Sequence, residues 1–391
     1  MVRVVAISNG SSLTVEQIDR SHDHCLPVEL QLCILECLQD DKRTMANCSL
    51  VCRAWVLPTR RALFGTVTLL CHDRTTFMDL LGQPHATFAP HVKSLKITGD
   101  STLAGSANFR GMVAALSAMF AIRTLQLAHI DLSDLDDCAL PLLHDSCANV
   151  DTLKLDYVRL SSPATLAGLL AGFSRLRHLR LCASFSGASH GPLPATPPSF
   201  RLQSLTYTMQ YYNDLCGLMS WFTSSDLSML EKLDVGPIPR TGLRDLARLL
   251  RATNGGLRHL AIRLLDTVTS DDIAECLDFA AVPLLQSLQV FVSLPKFGQR
   301  RGSSALALLP CVGSCLSELT LLVSVSSPLE LNRLDWTALN AALAGWQYRA
   351  LRDLHIDVAC FREPHKIAST VRDKMDAFVQ RGILRVEVKV L

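Results

Sequence analysis

The sequence predicts an α/β protein in which a short three-helix module precedes a solenoid, an open horseshoe of about ten strand–helix repeats. Three observations predict it. Two helical apolar stripes occupy residues 24–69. An aliphatic-x-x-Leu-x-aliphatic segment then recurs ten times at near-constant spacing. Helical patterns fill the intervals between those segments. Composition agrees, since 49% of the 391 residues are hydrophobic and 19% charged, too apolar for a disordered chain.

Residues 1–23 are polar and aperiodic and read as a flexible lead-in. The helical module spans residues 24–69. Leu26-Pro27-Val28-Glu29-Leu30 opens a helix, with Pro27 near the first turn, where its missing N–H costs nothing. Leu30, Ile34 and Leu38 follow at four-residue spacing and form one apolar stripe. Asp40-Asp41 ends it and is suited to cap a second helix. Met45, Cys48, Cys52 and Trp55 form the next stripe. So few apolar residues make a marginal core, so the module needs a neighbour to complete its burial, either the rest of the chain or a partner.

These residues resemble an F-box in the form common in fungal, mushroom-type proteins. The resemblance covers about residues 24–69. It rests on Leu26-Pro27-x-Glu29-Leu30, on Ile34 and Leu38, on Cys48-Ser49-Leu50-Val51-Cys52-Arg53-x-Trp55, and on the closing Leu63-Phe64. One departure is Pro58, which falls within what is often a continuous third helix and bears on its length. The resemblance implies docking onto the adaptor subunit of a cullin–RING (SCF-type) ubiquitin ligase, and through it onto the cullin. The implied adaptor-binding set is Leu26, Pro27, Leu30, Ile34, Leu38, Leu50, Val51 and Trp55. The plainer role for the same residues is the core of a helical hairpin, and the two roles are compatible. Cys33/Cys37 and Cys48/Cys52 have a spacing that zinc sites use, with His22, His24 and Cys25 nearby. They lie inside helical stripes and read as small core residues, so no metal is expected.

The array spans residues 88–391. Its central leucines are Leu95, Leu125, Leu153, Leu179, Leu205, Leu233, Leu260, Leu288, Leu319 and Leu354, separated by 26–35 residues. Helical patterns lie between them at Met112–Phe120, Leu135–His144, Ala164–Phe173, Leu243–Arg251, Asp272–Phe279 and Ala338–Trp346. A strand, a turn and a helix per repeat resembles the longer, helix-containing class of leucine-rich repeat, in an irregular form, in which each repeat stacks on its neighbours. The regular Asn or Cys three residues after the last aliphatic is replaced by Asp100, Ile130, Val158 and Ser184, which argues against a side-chain ladder along the turn. Ser184–Ser199 reads as a Pro/Gly/Ser loop. Ile383–Leu391 alternates and reads as a terminal strand.

Residues beside the central leucines face outward, because strand side chains alternate. Lys96, Lys154 and Arg180, with His178 beside them, form a basic patch in the early repeats and a candidate client-binding set for an acidic or phosphorylated segment. The last repeat presents Asp353, His355 and Asp357. Tyr207, Tyr211 and Tyr212 are candidate aromatic anchors.

Other classes are disfavoured. With 38 Lys+Arg against 36 Asp+Glu the chain lacks the basic excess of a nucleic-acid binder. The apolar run Val4–Ile7 is too short for a secretory leader. The most apolar window, 303–325, contains Pro310, Gly313 and Glu318, which argues against a membrane span. Fourteen scattered cysteines read as reduced, mostly buried thiols of a cytoplasmic and/or nuclear protein. No G-x-S-x-G, phosphate-binding glycine loop or H-E-x-x-H is present, so no catalytic residue or cofactor is expected. The expected function is therefore that of a non-enzymatic substrate receptor: the module binds the ligase adaptor and the repeats bind an unidentified protein client. The alternative is a leucine-rich-repeat interaction scaffold whose helical module only caps the solenoid.

Overall fold

The structure, a computed structural model, describes residues 26–390 apart from 71–73, 84–85, 100–110, 114–115, 134–138, 187–196, 210–214, 293, 295–303, 314 and 346–347. Contacts divide the chain into two compact units between Leu63 and Phe64.

The first unit contains the helices α1 (Val28–Cys37), α2 (Lys42–Cys48) and most of α3 (Arg53–Phe64). Asp41 starts α2, its carboxylate accepting the backbone N–H groups of Arg43 and Thr44 at 3.1 Å, which would otherwise be orphaned. The Thr44 hydroxyl, which donates to the same carboxylate at 2.6 Å, and with it those backbone bonds, hold the Asp41 carboxyl below the usual range. Pro58 lies inside α3, yet the helix runs on to Phe64, so the departure does not shorten it. Among the described residues of this unit, Leu35 and Met45 are the buried apolar side chains, joined by Thr59. The Thr59 hydroxyl bonds back to the Trp55 carbonyl at 2.6 Å. Trp55 Nε1 donates to Gln31 Oε1 at 2.6 Å and ties α3 to α1.

The second unit is built on a parallel sheet of thirteen strands. They are β1 (Thr66–Leu70), β2 (Ser94–Thr98), β3 (Thr124–Ala128), β4 (Asp131–Leu132), β5 (Thr152–Leu160), β6 (His178–Phe185) and β7 (Ser204–Met209). Next come β8 (Lys232–Ile238), β9 (His259–Leu264), β10 (Ser287–Val292), β11 (Glu318–Val325), β12 (Asp353–Cys360) and β13 (Leu384–Val390). Strand order follows chain order and the sheet does not close, which fits a solenoid-like repeat. Each of the ten segments read from the sequence is a strand, and so is the terminal one. The sheet also starts earlier than residue 88: β1 lies within the stretch read as the end of the helical module and pairs with β2. Its Val67 stands where other strands carry the central leucine, so the leucine pattern did not reveal it.

Register explains the spacing. Val67, Leu95, Leu125, Leu153, Leu179, Leu205, Leu233, Leu260, Leu288, Leu319, Leu354 and Leu384 are direct cross-strand partners in one unbroken row. From Leu95 to Leu354 every member is buried. A second ladder fixes the strand entrances. The carbonyl two residues before a central leucine accepts two consecutive N–H groups of the next repeat, as Arg123 does from Asp151 and Thr152 (2.9 and 3.0 Å) and Arg177 from Gln203 and Ser204 (2.7 and 3.0 Å).

Crossover helices complete the layer. The helix Leu243–Ala252 buries Leu243, Leu246, Leu249 and Leu250 and turns Arg244, Arg248 and Arg251 outward, the 3.6-residue period of a one-sided helix. Thr269 and Asp272 form a reciprocal capping box at the start of Ser270–Cys276. Helices Leu215–Thr223 and Pro364–Lys374 were not expected, while the stretches Ser304–Cys311 and Pro328–Arg333 form 3₁₀ turns instead. Ile130 and Val158, at the turn position where Asn or Cys was absent, are buried, so apolar packing occupies that corner.

At Gly236 both contact and backbone conformation demand glycine. Gly236 sits at the β8 irregularity with φ +147°, and a Cβ there would lie 2.6 Å from Arg263 Cβ and 2.8 Å from its carbonyl oxygen. Gly236→Ala is expected to destabilise this unit by about 2–3 kcal/mol, because the obstacle is backbone as well as side chain. Urea denaturation of the variant checks it.

Candidate functional site

The helical unit exposes what its small core leaves over. Leu26, Leu30 and Ile34 are 51%, 50% and 42% exposed, and Leu50 and Val51, between α2 and α3, are 85% and 65% exposed. Pro27 is also exposed, whereas Leu38 and Trp55 are half-buried. The eight residues therefore fall into two groups. Six present apolar surface; Leu38 and Trp55 pack partly inward, Trp55 with its indole N–H already committed to Gln31. The stripe Leu30–Ile34 does not supply the core, which α1 provides through Leu35 on another face. The cysteine expectation also needs correction. Cys33, Cys37 and Cys52 are exposed and Cys48 half-buried, so these thiols are not core residues. Along the whole described chain only Cys147, Cys182 and Cys360 are buried. Burial pushes the Cys147 thiol up to about 12. Among the described residues no cluster of three or more His, Cys, Asp or Glu side chains is placed to hold a metal ion.

The outer face of the sheet carries the second candidate set. Lys96, Gln126, Lys154, Arg180, Thr206 and Asp234 occupy one cross-strand row, and His178 lies in the row before it, beside Thr152 and Ser204. Lys96 and Lys154 are half-buried, His178 and Arg180 exposed. Sequence reading missed what lies one step further along the strands. Asp156 pairs with Arg180 (Nε–Oδ1 2.9 Å) and accepts Gln126 Nε2 at 2.7 Å. The patch thus contains its own counter-ion, and among the described residues its unpaired cations are Lys96 and Lys154. Counting residues three beyond each central leucine, as well as one beyond, reveals Asp156.

Two aromatic side chains adjoin this network. His129 and Tyr157 each follow the regular part of their strand with φ +54° and +56°, and Tyr157 is the extra residue at the β5 bulge. Both are exposed and their rings stack at 5.1 Å between centroids, 7° from parallel. Left-handed backbone at two non-glycine residues costs roughly 1–2 kcal/mol each. Of the tyrosines singled out in the sequence, Tyr207 is buried in the core and Tyr211 and Tyr212 lie outside the described residues.

The acidic end is also internally paired, since Arg385 on β13 meets Asp353 at 3.0 Å. Near the middle of the sheet, burial raises the carboxyl of Asp234, with Lys232, Arg263 and Arg180 opposing the rise. No described helix is long and apolar enough to cross a membrane. No protein-family model matches the chain, and no curated protein matches it.

Proposed function

We propose that the chain is the substrate-recognition subunit of a cullin–RING (SCF-type) ubiquitin ligase, acting in the cytoplasm and/or nucleus. The helical unit binds the adaptor and the outer sheet face holds the protein client. The observation that carries this reading is the set Leu26, Leu30, Ile34, Leu50 and Val51, exposed on a unit whose own helices bury only Leu35, Met45 and Thr59. Isolated exposed leucines are ordinary, but five on one small unit with so little core favour a partner that finishes the burial. The sequence resemblance adds the identity of that partner. The chain itself does no chemistry in this scheme. It raises the client's effective concentration near the ubiquitin-charged conjugating enzyme.

Affinity purification of the tagged full-length chain tests the assignment. Adaptor and cullin are expected well above a tag-only control. A leucine-rich-repeat scaffold with no ligase role recovers neither. For the client side, the variant Lys96→Glu/Lys154→Glu/Arg180→Glu is expected to reduce capture of an acidic client at least about tenfold and leave adaptor recovery unchanged. Unchanged client capture would place the client elsewhere.

A further inference from the structure

A second basic feature lies at the strand entrances rather than on the outer face. An open cavity of about 630 Å³ is lined by Arg123, Asp151, Ser174, Arg175, Leu176, Arg177, Ser199 and Arg201. Four guanidiniums thus meet one carboxylate, in a cavity within the usual small-ligand range of about 300–1,000 Å³. The backbone fixes where they stand. Arg123, Asp151 and Arg177 occupy the same position in successive repeats, two residues before the central leucine, and their carbonyls are links of the entrance ladder. Arg175 and Arg201 occupy the position two residues earlier again, in the repeats of β6 and β7.

The side chains are partly organised. Asn149 accepts from both Arg123 (its carbonyl, 3.3 Å) and Arg175 (Oδ1, 2.9 Å), and is itself held to the Phe120 carbonyl at 3.1 Å. Asn149 is neutral, so both charges stay unbalanced. Arg201 meets Asp226 at 3.3 Å across solvent, a pairing of little strength. Asp151 accepts the Thr152 hydroxyl at 2.8 Å. The Arg177 side chain, exposed, has no ion pair or hydrogen bond among the described residues. None of the four arginines is buried, so packing does not account for their gathering.

We propose that this cavity binds a small ligand carrying two or more phosphate groups, a diphosphate or bisphosphate. Guanidinium forks pair with phosphate oxygens in bidentate fashion, and each of the four cations is arginine rather than lysine. The lining Asp151 and the exposed Asp226 together offset at most two of them. The arginines extend from β3 to β7, three inter-strand steps or roughly 14 Å, more than one phosphate covers. This assignment concerns a different part of the sheet from the proposed client face and does not depend on adaptor docking.

Calorimetric titration of the full-length chain with inorganic pyrophosphate, at constant ionic strength, tests it. Saturable binding is expected, about tenfold tighter than inorganic phosphate and than a phosphoserine peptide. Arg177→Glu is expected to weaken pyrophosphate at least about tenfold, and Arg177→Gln, which keeps the length and removes the charge, to weaken it less. Arg180→Glu, on the outer face, should leave it unchanged. Absence of saturable binding overturns the proposal. So does pyrophosphate affinity equal in wild type and both Arg177 variants with native circular dichroism. Tighter binding of the phosphopeptide than of pyrophosphate overturns the small-ligand assignment.

Discussion

Replacing Leu30 by Asp is expected to lower the affinity of the chain for the ligase adaptor at least about 100-fold while leaving its fold intact. Leu30 is half exposed and contributes nothing to the Leu35–Met45 core, so removing it creates no cavity. It is the third residue of α1, where a carboxylate faces the positive end of the helix dipole and suits the first turn. The change in stability is therefore expected within about 0.5 kcal/mol. In a docked complex the same carboxylate would be buried against apolar surface without a partner, at a cost of several kcal/mol. Surface plasmon resonance with immobilised adaptor reads the loss, and circular dichroism checks the fold. A Trp55 substitution is less informative, because removing the indole also removes the bond to Gln31 that joins α3 to α1.

Leu233→Ala is expected to destabilise the sheet unit by about 3 kcal/mol. Leu233 is fully buried at the centre of the leucine row, with Leu205 on one side and Leu260 on the other. In a stacked array each repeat depends on both neighbours, so a cavity there weakens two interfaces together. Leu384 tests the contrast. It occupies the same row on β13, is half-buried, and has a partner only in Leu354. Leu384→Ala is expected to cost about 1 kcal/mol or less. Chemical denaturation of both variants compares them directly. Equal losses would mean that the row is not what supports the sheet.

The leucine row was legible because a parallel array forces one residue type to recur where strands meet in register. All ten central leucines are direct partners, and the 26–35-residue spacing is the length of chain needed to leave the sheet and return. β1 was hidden because Val67 replaces leucine, and because its stretch also closes the F-box-like motif. The helix Leu215–Thr223 was hidden by its composition, in which Leu218, Met219, Trp221 and Phe222 are all buried and the polar half of the pattern is weak. The exposure of Leu30 and Ile34 could not be read from spacing, since a four-residue stripe looks the same facing a core or facing solvent. Asp156 escaped because pairing across strands depends on register, as does the gathering of Arg123, Arg175, Arg177 and Arg201 from three repeats. Columns of residues two and four positions before each central leucine would have brought those arginines together from the sequence.

The docking claim is tested most directly with two purified proteins. The full-length chain and the SCF adaptor are mixed at micromolar concentration and resolved by size-exclusion chromatography with light scattering. A single peak of one-to-one mass for the wild type, and two separate peaks for Leu30→Asp, is the predicted result. Separate peaks for the folded wild type, or an undiminished complex with Leu30→Asp, would contradict the account.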